Sequence, residues 1–110
     1  MQRDDETCIR HILDAARKAH DFASSRKRAD LEKDEMLALS LVRLLEIIGE
    51  AAGDISEEYR AKHPDIPWKK MVGLRNRLIH GYFDIDLDIV WDTVMGDLPP
   101  LIAALEKLVP

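Results

Sequence analysis

Apolar residues recur with a helical period along most of the chain. Cys8, Ile9, Ile12, Leu13, Ala16, Ala19 and Phe22 fall three and four apart, which predicts a first helix from Asp4 or Asp5 to Phe22 with one buried stripe. The stretch from Ala23 to Asp30, with Ser24, Ser25, Arg26, Lys27 and Arg28, has no period. It reads as a charged, solvated loop, with Asp30 placed to cap a short following turn. Leu37, Leu41, Leu44, Leu45, Ile48, Ala51 and Ala52 cover more than half the circumference of a second helix, about Asp34 to Asp54, which makes it the most buried element expected. Its remaining strip carries Arg43, Glu46, Glu50 and Asp54, and Gly49 and Gly53 beside that strip would let another backbone approach closely.

Ser56 followed by Glu57 and Glu58 is an N-cap with acids in the first turn, so a short helix should run from Glu57 to near His63, where Pro64 disfavours its continuation. Pro67 then opens a fourth helix expected to reach His80, with Gly81 ending it. From Asp84 to Val109 a further apolar pattern is interrupted by Pro99-Pro100, which predicts two helices or one with a sharp kink. The sum is an all-α, antiparallel bundle of four to five helices occupying residues 1–110 as a single domain.

Composition narrows this further. With 46% hydrophobic and 34% charged residues the chain can bury a core and is not disordered by composition. Five glycines and five prolines are too few to punctuate the short strands of a sandwich or barrel. One cysteine, Cys8, cannot form an intramolecular disulfide and reads as a small buried hydrophobe. With no charged-then-apolar leader, a reducing cytoplasm is the expected compartment. The longest apolar stretch, Met36 to Ile48, is broken by Ser40, Arg43 and Glu46 and falls well short of the roughly 20 apolar residues of a membrane span.

The net charge of −5 hides an uneven distribution. Residues 1–59 hold nine Lys/Arg against fourteen Asp/Glu, and residues 81–110 hold one against six. Between these acidic flanks, residues 60–80 hold Arg60, Lys62, Lys69, Lys70, Arg75 and Arg77 against Asp65 alone. Such a segment is either a solvated helix face or a surface for an anion such as RNA phosphate, with Lys69, Lys70 and Arg77 as candidate contacts. On a regular helix, Trp68, Met71, Val72, Leu74, Leu78 and Ile79 share one apolar arc, and Arg75 falls in its middle. A guanidinium cannot shed its charge, so that position demands an acid, an interface or an anionic ligand. A buried bridge to Glu46 or Glu50 is the structural alternative to a ligand site, and Glu50 is the first partner to test. His80, five residues on, lies about 140° around the helix from Arg75. The two can meet only if the last turn unwinds or a second subunit contributes its copy.

The run Gly73-Leu74-Arg75-Asn76-Arg77-Leu78-Ile79-His80-Gly81-Tyr82-Phe83 resembles the arginine, four residues, histidine, x-tyrosine motif of HepT-type HEPN toxins. The resemblance extends through Ile47-Ile48-Gly49-Glu50-Ala51-Ala52, His63-Pro64-Asp65-Ile66-Pro67-Trp68 and Asp97-Leu98-Pro99-Pro100-Leu101, so it covers the chain from the second helix onward. It implies a HEPN-like bundle and a dimeric, metal-independent endoribonuclease, the toxin of a pair whose antitoxin is a minimal nucleotidyltransferase. Carried over by position, it implies Arg75 and His80 as the catalytic pair, Asn76 in support, and Tyr82 as the tyrosine that the antitoxin modifies with AMP. Glu50 is a further supporting candidate as the partner of Arg75.

That chemistry suits the residues. Attack of a ribose 2′-hydroxyl on the adjacent phosphorus needs protons moved and phosphoryl charge stabilised, tasks for an imidazole and a guanidinium. Two proton carriers are needed and the motif holds one histidine, which a symmetric dimer would supply twice. Single-stranded RNA is the expected substrate, because in-line attack needs a flexible backbone. The aspartates of the run Asp84-Ile85-Asp86-Leu87-Asp88 read as caps and solvated charges and are assigned no catalysis. His11, His20, His63 and His80 lack metal-ligand spacing, so neither metal nor cofactor is expected. Two other classes stay open: a non-catalytic helical module that binds nucleotide or RNA or holds a nucleotidyltransferase, and a plain dimeric bundle with a solvated basic segment.

Overall fold

Two long helices, each started by an aspartate, form the centre of the molecule. The computed structural model of the protein describes residues 4–80 and 84–110, and these are mostly helical. Asp4 accepts the Thr7 amide at 2.8 Å and starts α1 (Asp5–Ala23), and Asp34 accepts the Leu37 amide at 3.1 Å and starts α3 (Glu35–Gly53). The two helices pack along each other, each burying eight of its nineteen residues. The second helix is therefore no deeper than the first: Ala15, Ala16, Ala19 and Ala23 let α1 lie close against its neighbours. Phe22, expected on the buried stripe, is exposed, and Ala23 takes the inward position at the helix end.

In the charged segment between them Ser24, Ser25 and Lys27 are exposed as expected, but two of its arginines are braced. Arg26 pairs with Asp30 and Asp34 at 3.4 and 3.0 Å, around the short α2 (Asp30–Lys33). Asp30 accepts the Lys27 amide at 2.8 Å from inside the turn, and Ala29 holds the cap position that Asp30 was expected to fill. Arg28 reaches across the fold to Asp88 at 2.7 Å. The Asp34 carboxyl is held below its usual range, first by the Leu37 N–H and then by Arg26.

Beyond α3, Ser56 caps α4 (Glu57–Lys62) and also donates to Asp5 at the head of α1, at 2.7 Å. The Trp68 indole N–H donates to the His63 carbonyl at 2.9 Å, and the His63 ring lies against Tyr59. The fourth helix expected from Pro67 to His80 is two short pieces, α5 (Trp68–Val72) and α6 (Leu74–Leu78), with Gly73 between them at φ −83°, ψ 0°. It stops at Leu78, where the chain turns extended. Ile79–His80 (β1) pairs antiparallel with Asp84–Ile85 (β2), in the register Ile79↔Ile85 and His80↔Asp84. Pairing of the two β-branched residues across this ladder favours the extended form over a last helical turn.

The remainder is one continuous helical run. Asp86 caps α7 (Leu87–Asp92), a π-helical turn follows over Thr93–Asp97, and α8 (Leu98–Glu106) packs back on α1. Pro99 and Pro100 occupy the first turn of α8 and lack the N–H groups that a regular helix would use there. The wider turn takes up that defect, with the Leu98 N–H reaching back to the Thr93 carbonyl. Among the described residues, no helix is long and apolar enough to cross a membrane.

Candidate functional site

Three of the six cations in the basic segment are occupied by structural work. Arg60 donates to the Ala52 carbonyl at 2.7 Å and so satisfies the C-terminal end of α3. Lys62 pairs with Glu58, and Lys70 pairs with Asp97 at 3.1 Å. His63 is held by the Tyr59 ring and by the turn whose carbonyl Trp68 uses. Lys69 is exposed and takes part in no ion pair among the described residues. What remains for an anion is the cluster around α6.

Arg75 sits at the second position of α6 and is 74% exposed. The expected buried arc fails because Gly73 interrupts the helix, which turns Arg75 outward and also leaves Val72 exposed. Its partner is Glu46, with Nε 3.2 Å from Oε2, and not Glu50, which pairs along its own helix with Arg43 at 3.3 Å. The reason is the crossing of α5 over α3. The Met71 carbonyl lies where a Cβ on Gly49 would come within 2.9 Å, so the chain runs backward along α3 from Gly49 and brings Arg75 beside Glu46. Gly49 thus serves the close approach expected of it, whereas a Cβ on Gly53 would meet nothing within 4 Å. Glu46 is only 19% exposed and engages Nε, while the Arg75 side chain stays 74% exposed and pairs with no other acid among the described residues. A guanidinium anchored in this way presents the fork that phosphate oxygens accept.

Asn76 is exposed on the same short helix. Arg77 is half-buried beside Leu74 and Leu78, and its buried Nη1 has no hydrogen-bond partner among the described residues. Leaving a charged donor unpaired is costly.

His80 stands on β1, two residues past the end of α6, and is 61% exposed. The last turn does unwind, as one of the two expected routes requires. In the ladder His80 faces Asp84, and Asp86 lies diagonally across on the same side, with Oδ2 3.9 Å from the imidazole Nε2. Asp86 is the residue that sequence reading passed over. Its capping role was legible, but its approach to His80 depends on a two-residue ladder that no periodicity announces. Within the protomer, then, Arg75 is tied toward α3 and His80 toward the start of α7. Tyr82 lies outside the described residues.

A strip of α3 that faces away from the core adjoins this cluster. Met36, Leu39, Arg43, Glu46 and Glu50 fall within about 80° of one another on the helix. Met36 is 81% exposed, and Leu39 is exposed as well. The cavity of about 250 Å³ between α5 and α8 is a separate feature, lined by Met71, Leu74, Leu98 and Leu101 with Lys70 and Asp97, and none of Arg75, Asn76, Arg77 or His80 lines it.

Residues 12–108 match the family described as "Ribonuclease HepT-like". A protein of Thermococcus cleftensis named "Probable ribonuclease HepT" is 35% identical over 108 residues, 98% of either chain. A "Putative RNase" of Methanocaldococcus jannaschii is 39% identical over 100 residues, 91% of this chain and 92% of that one. No solved structure matches significantly.

Proposed function

Because this chain belongs to the ribonuclease HepT-like family, we propose that it is a metal-independent endoribonuclease that cleaves single-stranded RNA with Arg75 and His80. The reading is carried by the exposed Arg75 fork, anchored through Nε by Glu46, in one short segment with an exposed imidazole. In the reaction the RNA 2′-hydroxyl loses its proton to an imidazole, and its oxygen attacks the adjacent phosphorus. The bond from phosphorus to the 5′-oxygen breaks, and that oxygen receives a proton from a second imidazole. The products are a 2′,3′-cyclic phosphate and a 5′-hydroxyl. Arg75 binds the non-bridging oxygens, where negative charge grows, and Asn76, Arg77 and Lys69 contribute to holding the strand.

Each protomer offers one histidine in the motif, so the proposal includes a homodimer that brings two motifs to one phosphodiester. The outward strip of α3 supports this. Two exposed apolar side chains, Met36 and Leu39, lie on the line that ends at Glu46 and its Arg75. Large apolar groups left in water along one helix face are the material of an interface. Control by a nucleotidyltransferase antitoxin completes the reading. AMP placed on Tyr82, two residues from His80, would bring bulk and negative charge to the place where a phosphate must bind.

The test is incubation of purified protein with total RNA, with and without EDTA, alongside His80→Ala and Arg75→Ala. Cleavage that survives EDTA and is lost in both variants is the expected result. Cleavage unchanged in the variants refutes the assigned roles, dependence on a divalent ion refutes metal independence, and stable binding without cleavage supports the non-catalytic module instead. Co-expression with a partner nucleotidyltransferase should add one AMP mass to Tyr82, and an unmodified tyrosine counts against that control.

A further inference from the structure

The carboxylate beside His80 is held more firmly than a helix cap requires. The Asp86 backbone N–H donates to the Leu78 carbonyl at 2.7 Å, closing the ladder just past its last pair. Its Oδ1 accepts the Ile89 amide at 3.1 Å and starts α7. The segment that follows is braced by Arg28 on Asp88. With the main chain and one oxygen fixed, the other oxygen has little freedom, and it points at the His80 imidazole from 3.9 Å.

We propose that Asp86 is the positioning residue of His80: its free oxygen holds the proton on Nε2 and so leaves Nδ1 as the face turned to RNA. The inference rests on the ribonuclease reading of His80 given above. The two ring nitrogens are not equivalent, and the one hydrogen-bonded to a carboxylate carries the proton in the neutral ring. The separation is about 1 Å longer than a hydrogen bond, a gap of the kind that closes when substrate is bound. Nδ1 then stands free to take the 2′-hydroxyl proton, and the ring that becomes positively charged has a carboxylate at its back.

Two substitutions separate this role from capping. Asn and Ser both cap helices about as well as Asp, so Asp86→Asn and Asp86→Ser should fold and melt close to the unmodified protein, while neither offers His80 a carboxylate. The expected result is a kcat lowered about 10- to 100-fold in both, with KM for a short single-stranded RNA changed less than about twofold. Exchange of such a carboxylate for its amide costs about 10⁴ in a fully buried triad, and the exposed setting here reduces that. Nitrogen-15 spectra of the His80 ring, which need no RNA, should show the Nε2-protonated tautomer in the unmodified protein, a mixture in Asp86→Ser and a shift toward the Nδ1-protonated form in Asp86→Asn, whose amide N–H would donate to Nε2. Unmodified kcat and an unmodified tautomer in both variants overturn the Asp86 role while the His80 assignment stands. Cleavage that survives His80→Ala overturns both.

Discussion

Gly49→Ala tests how α5 and α6 are carried on α3. The new methyl would stand 2.9 Å from the Met71 carbonyl oxygen, and ordinary contact begins near 3.4 Å, so α5 must move away by about 0.5 Å. The obstacle is backbone, so no side-chain rotation relieves it. Overpacking of this kind costs about 1–3 kcal/mol, and alanine returns about 1 kcal/mol through its better helix propensity. The balance is a loss of about 1 kcal/mol, or roughly 4 °C in Tm for a domain of this length. Gly53→Ala, one turn further on, meets nothing within 4 Å and should gain up to about 1 kcal/mol. The two substitutions therefore move stability in opposite directions, which thermal and urea denaturation would resolve. A displaced α5 also carries Arg75, so RNA cleavage well below Tm should fall about tenfold in Gly49→Ala and stay unchanged in Gly53→Ala. A Gly49→Ala protein as stable as the unmodified one would show that α5 yields freely and would refute this account of how Arg75 is placed.

Two further outcomes follow from the packing. Thr93 is 3% exposed and its hydroxyl has no hydrogen-bond partner among the described residues, so Thr93→Val should raise stability by about 1 kcal/mol, and a lowered Tm would reveal a partner for that hydroxyl. The Asp34 carboxyl is held below its ordinary value of 3.8 by the Leu37 amide and then by Arg26, so its contribution is complete above that value and is lost as pH falls through the depressed one. Asp34→Asn keeps a cap but does not titrate, and its Tm should decline less steeply in that acid range. Equal slopes for the two proteins would refute the linkage.

The parts of the fold that depend on one element's own chemistry were legible in the sequence. The aspartates and serine that start α1, α3, α4 and α7, the inward stripes of α1 and α3, and the glycine under α5 are all written in local spacing. The candidate site could be read as residues but not as geometry. Projecting Arg75 onto an unbroken helix put it in the core, because a single glycine gives no sign of whether it will bend a helix or merely weaken it. Its choice of Glu46 over Glu50 follows from the direction in which α5 crosses α3, a tertiary fact. Asp86 was hidden for a similar reason: two strands of two residues are too short for alternation to register, yet they decide what faces His80. The loop charges were misjudged as solvated because Arg28 finds its acid 60 positions away.

The break at Gly73 divides labour between two adjoining stretches of five residues. Trp68 and Met71 in the first are committed to the interior, whereas the second exposes Arg75 and Asn76 and sends only Leu74 and Leu78 inward. Since the join is a lone residue without a side chain, the second piece takes a direction of its own, set by Leu74 and Leu78, while the first keeps its anchorage. One glycine thus separates the part of the segment that holds the bundle together from the part that meets the solvent.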